Sequence, residues 1–130
     1  KMNGNNLVNE VYYHLLVKWC TVNLWIHKDQ KSPFKFDGII TIIDNLFQEN
    51  DKKGKVFNVG LFKQILTFIR IFKYDNETFQ FVNRWTEYYL TSDHISKRRD
   101  ANVIHRIILA YAAHGHRFTW YKFNQLCFDQ

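Results

Sequence analysis

Apolar side chains recur every third or fourth position over much of this chain, and that period is the signature of α-helix. Val8, Val11, Tyr12, Leu15, Trp19, Val22 and Ile26 repeat in this way across residues 6–26. A second stripe, Tyr13, Val17, Cys20 and Leu24, lies on the opposite side of the same segment. A helix that is apolar on both sides is buried or forms an interface. The first helix is therefore expected to be central, or to pack against a partner as well.

Residues 27–36 read as a loop, marked by charge and by Ser32-Pro33, with Asp37 placed to cap a second helix. Its apolar face is Ile39, Ile40, Ile42, Ile43, Leu46 and Phe47, with Thr41, Asp44 and Gln48 facing out. The paired isoleucines would also suit a strand by propensity, but the i, i+3, i+4, i+7 spacing favours helix. After a charged loop at 50–55, Asn58 caps a third helix to about Lys73, with Leu61, Ile65, Phe68, Ile69 and Phe72 on one face. Asp75 or Asn76 opens a fourth, ending near Leu90, whose arc centres on Val82, Trp85 and Tyr89. Residues 91–99 break the phase, because a continuous helix would put Lys97 on the apolar stripe and turn Ile95 away. Asp100 then caps a fifth helix to about His114, burying Val103, Ile104, Ile107, Ile108 and Tyr111, and Gly115 fits its stop. Thr119 caps a short sixth helix with Trp120, Phe123, Leu126 and Cys127 inward.

The expected fold is all-α: a compact bundle or orthogonal array of about six helices, forming a single helical domain over residues 1–130. Composition agrees. Only five glycines and one proline interrupt the chain, too few for the turns of a sandwich or barrel. At 130 residues and 46% apolar it suits one domain with a real core. Aromatic residues at 18% make that core thick and leave rings for the surface. No stretch of about 18 apolar residues is present, since His14 and Lys18 interrupt the first segment and Lys63 and Arg70 the third. With a polar start and no apolar leader, an intracellular location, cytoplasmic or nuclear, is the default expectation. Cys20 and Cys127 are expected to be two buried free thiols, although a disulfide between them is possible. The bias toward Asn, Lys, Ile, Phe and Tyr resembles coding from an AT-rich genome, as in a viral accessory or structural protein.

Charge adds the candidate chemistry. The net charge of +6 favours polyanions such as RNA, DNA or an anionic membrane surface, and equally serves solubility. Between 94 and 125 there are six Lys and Arg against one acid. Lys97-Arg98-Arg99 stands just before the helix capped by Asp100, where free N–H groups and the positive dipole end suit a phosphate or carboxylate. Arg106 lies two turns further on the same outward face, Arg117 and Lys122 extend the cluster, and Tyr121 offers a ring for base stacking. The plain alternative is a solvated cationic loop. The second candidate is the outer stripe of the first helix, where Tyr13, Val17 and Leu24 exceed what one-sided burial needs and would form a protein contact or homodimer. The competing reading is a core helix surrounded by the other five.

Catalytic and metal patterns are weak. His114 and His116 straddle a helix stop, and His105 adds no helical zinc pair. No paired acids, nucleophile elbow or phosphate-cradling glycine loop appears. A small cysteine- or histidine-dependent hydrolase is the weakest of three readings, because both cysteines sit among apolar neighbours. The leading expectation is a non-enzymatic interaction domain that binds a protein partner or self-associates, with a basic C-terminal region for an anionic contact and no small-molecule cofactor. The alternative is a nucleic-acid-binding protein that contacts phosphates through residues 97–106.

Overall fold

The computed structural model describes residues 2–26, 38–71, 76–92 and 100–112, with the side chains of the first helix described from Val11 onward. Within these residues five helices follow in order: α1 (Met2–Ile26), α2 (Gly38–Lys52), α3 (Val59–Ile71), α4 (Asn76–Thr91) and α5 (Ala101–Ala112). Among the described residues there is no strand. The sixth helix expected from Thr119 onward lies outside the described residues, as do the caps expected at Asp37 and Asp75 and the stop at Gly115.

The expected ends that can be seen form as their residue types require. Asn58 Oδ1 accepts from the Leu61 amide at 3.0 Å and caps α3. Phe57, just before that cap, meets Phe62 in the first turn edge to face, with ring centres 5.4 Å apart. This hydrophobic staple sets the angle at which the chain enters α3. Asp100 Oδ1 accepts from the Asn102 amide at 2.8 Å and caps α5. At the end of α2, Gly54 adopts φ +68°, where a side chain is strained. Its amide then reaches the Asp51 carbonyl at 3.1 Å, and Lys55 reaches Asn50 at 2.9 Å, closing the last turn.

The centre of the fold is α3, not α1. Both α1 and α5 pack on α3, while α2 packs on α4. Six residues of α3 are buried, Leu61, Phe62, Ile65, Leu66, Phe68 and Ile69, a wider arc than its sequence stripe suggests. Phe47 of α2 ties the two groups together. Its ring lies within 4.9–6.3 Å of Phe57, Phe62, Phe81 and Trp85, distances typical of favourable aromatic pairs.

Of the polar side of α2, Thr41 is exposed as expected, whereas Asp44 and Gln48 are half-buried. Asp44 lies against α4. It accepts Arg84 Nη1 at 2.8 and 2.9 Å and Trp85 Nε1 at 2.7 Å, while Gln48 Nε2 donates from its own helix at 2.8 Å. Thr41 donates to Glu77, and Tyr88 donates to Asp51. Residues that look solvated in one helix are thus the polar seam between two, and Ile42, expected inward, is left exposed. Tyr89, fully buried on α4, accepts the Asp100 amide at 2.7 Å and so fixes the start of α5.

Candidate functional site

Two surfaces stand out, and α1 borders both. The first is its outer face. Val11, Tyr12, Leu15, Trp19, Val22, Trp25 and Ile26 are all exposed, Leu15 by 62% and Trp25 by 63%. Single exposed apolar residues are ordinary, but a contiguous row of seven large ones is a candidate interaction surface. Tyr12, Leu15, Leu16, Trp19 and Val22 wall a shallow apolar hollow of about 480 Å³, edged by Lys18.

This inverts the assignment read from the sequence. Val17, expected on the outer contact stripe, is 0% exposed and belongs to the core. Tyr13 and Leu24, placed on the same outward stripe, pack against that core instead. The reason is shape. Val17 and Cys20 are short, and they meet a helix that carries Gly60, so α1 and α3 approach closely. A Cβ added at Gly60 would stand 3.2 Å from His14 Cε1, tighter than ordinary contact. The bulky rings of Tyr12, Trp19 and Trp25 could not enter so narrow a space and remain outside. Cys20 is buried beside Val17, and burial pushes its thiol up from its usual range.

The second surface is a basic cleft of about 470 Å³ where α1, α3 and α5 meet. His14, Lys18, Thr21 and Val22 come from α1, Gly60, Lys63, Gln64 and Thr67 from α3, and Arg106 from α5. No acidic side chain among the described residues lines it. Among the described residues the ion pairs are Lys53 with Glu49 and Arg84 with Asp44, and none of the described acids pairs with the three cleft cations. The Arg106 guanidinium donates to Thr67 Oγ1, and Thr67 Oγ1 donates to the Lys63 carbonyl at 3.1 Å. Arg106 is thereby held across α3. Gln64 Oε1 is buried without a hydrogen-bond partner. A smaller hollow of about 220 Å³ adjoins on the far side of Arg106, bordered by Arg70 and His105.

Of the expected anion-binding residues, Arg106 alone is described, and it does sit in a basic surface, although its companions are Lys18 and Lys63. Lys97, Arg98, Arg99, Arg117 and Lys122 lie outside the described residues, as do His114, His116, Tyr121 and Cys127. Lys18 and Lys63 carried a signal in the sequence, since each interrupts a strongly apolar helix. No spacing along the chain joins positions 18, 63 and 106, so their convergence had no linear trace.

Among the described residues, no group of three or more His, Cys, Asp or Glu stands together to hold a metal ion. Nor is any described helix long and apolar enough to cross a membrane. The chain matches no protein-family profile, no curated protein and no solved structure.

Proposed function

We propose that this chain is a non-enzymatic interaction domain that pairs with a second copy of itself through the outer face of α1. The observation that carries the reading is the exposed row Tyr12, Leu15, Trp19, Val22 and Ile26. Its steps along the helix alternate three and four, the spacing of a seam that packs against another helix. The row covers 15 positions, roughly 21 Å of helix at 1.5 Å per residue.

Its order also suits a two-fold partner. Trp19 is the midpoint. An antiparallel copy turned about an axis near Trp19 sets Tyr12 toward Ile26 and Leu15 toward Val22. A two-fold interface uses one patch twice, so the patch has to be complementary to itself. The apolar hollow beside Leu15 and Trp19 offers room for the facing copy's rings.

Sedimentation equilibrium of the whole chain tests this. A dimer in the micromolar range that becomes monomeric in Leu15→Glu, with an unchanged helical spectrum, supports the reading. A wild-type chain that stays monomeric at the highest soluble concentration rejects it. The basic surface around Arg106 is the part of the reading concerned with anionic contacts, and it is separable from pairing because Lys63 and Arg106 are not on the outer row.

A further inference from the structure

We infer that the cleft between α1, α3 and α5 is a binding site for a small organic phosphate of about mononucleotide size. The cleft adjoins the pairing surface and shares Lys18 and Val22 with it, while α3 and α5 supply most of its polar groups.

Three cations from three different helices converge on one space with no carboxylate among its described walls. Like charges gathered without an acid repel each other, and each would be more stable beside an anion. A solvated charge needs no such convergence, because the side chains would extend into water separately. Arg106 is held by Thr67 across the helix pair. A fixed guanidinium keeps further N–H donors in fork geometry for a phosphate, while Lys18 and Lys63 act as point charges. The α3 N-terminus adds a positive dipole end at Gly60 without any acid in its first turn.

The remaining walls define the body of the ligand. Val22 and the carbon-rich parts of Lys18, Lys63, Thr21 and Thr67 fit a cleft that is partly apolar. A bare inorganic anion would leave that surface wet, whereas an organic body would cover it. Gln64 lines the cleft with its Oε1 buried and without a hydrogen-bond partner, so a turn of this side chain toward the cleft would offer an acceptor to an N–H or O–H on the ligand. A volume of about 470 Å³ falls within the range of small-ligand pockets. Phosphate is favoured over carboxylate because three cations match a dianion.

Calorimetric titration of the full chain with adenosine monophosphate, phenyl phosphate, inorganic phosphate and adenosine tests the assignment. The expected result is saturable binding of one or both organic phosphates, at least about tenfold tighter than inorganic phosphate or adenosine. Binding of both assigns the shared phosphate-on-ring chemistry, and binding of adenosine monophosphate alone assigns the nucleotide. Lys63→Gln and Lys18→Gln should each weaken it by about tenfold. Lys53→Gln, which removes one charge remote from the cleft, should leave it unchanged, and all three variants should melt like the parent. Equal weakening by Lys53→Gln and Lys63→Gln would mean diffuse attraction and overturn the site. So would the absence of saturable organic-phosphate binding, or tight binding of a single-stranded oligonucleotide by a chain that ignores both organic phosphates.

Discussion

The two faces of α1 are nearly equal in oiliness and opposite in fate. On one side Val17 and Cys20 are closed into the core, flanked by Tyr13, Leu16 and Leu24. On the other, Tyr12, Leu15, Trp19 and Trp25 stand at the surface. If burial simply followed apolar area, the outer face would be the inner one, because its rings carry more area per residue. What separates the faces is how closely the neighbouring helix can come. Short side chains and Gly60 allow α3 to approach and gain many contacts, whereas two tryptophans on that side would hold it away. A helix face can therefore be excluded from its own core by being too large for it.

The two faces differ most sharply at Val17. Val17→Glu puts a charge where no water reaches, and should cost on the order of 4–5 kcal/mol or more, enough to unfold a domain of this size. Loss of the cooperative thermal transition in circular dichroism is the expected outcome. A native-like melt would put Val17 outside the core and collapse the distinction between the faces.

Next in size is a test on the far side of α3, where burial acts on a titratable group. Burial raises the Tyr111 phenol from 10.0 to about 12 in the folded state. Between those values the unfolded chain releases the proton more readily than the folded one. Stability is then fully present below pH 10 and falls as pH rises toward 12. The fall is about 3 kcal/mol at most, from two pKa units at 1.36 kcal/mol each. Denaturant unfolding at pH 9 and pH 11.5 should show this decline, and Tyr111→Phe should reduce it. An identical decline in Tyr111→Phe would move the cause to another group.

A smaller effect sharpens the account of the inner face through its partner. Asn58→Ala removes the cap of α3 one turn from the Gly60 contact, and should lower stability by about 1 kcal/mol while leaving helix content intact. The denaturant midpoint should shift with an unchanged slope. No shift would mean that the Leu61 amide finds water just as well.

The smallest effect on stability is expected on the outer face. Leu15→Glu should change folding free energy by no more than about 0.5 kcal/mol. Set against Val17→Glu two positions away, it separates a surface for association from a surface for folding. A destabilisation as large as that of Val17→Glu would show that the outer row is covered within the chain itself.

Local features were largely legible from the residues. Asn58 and Asp100 were recognisable as caps because a short polar side chain beside an apolar run has one obvious use. The faces of α3, α4 and α5 followed from spacing, since each is apolar on one arc. The two-sided helix was not decidable in this way, and the sequence stripe with the stronger repeat turned out to be the exposed one. Asp44 was misread for a related reason. A carboxylate on the polar side of a helix looks solvated until Arg84 and Trp85 are placed against it. Of the candidate site, Arg106 was recognised as a surface cation, while Lys18 and Lys63 were noticed only as interruptions.

Sequence alone settled that this chain makes helices, where most of them begin, and that α1 carries more apolar surface than a single core face can use. These are matters of spacing and of side chains acting on their own backbone, within a few residues. Which face of α1 turns inward, which helix occupies the centre, and which cations meet in one cleft were decided by packing. Those outcomes depend on the size and charge of residues tens of positions away, and local periodicity holds no record of distances across the fold.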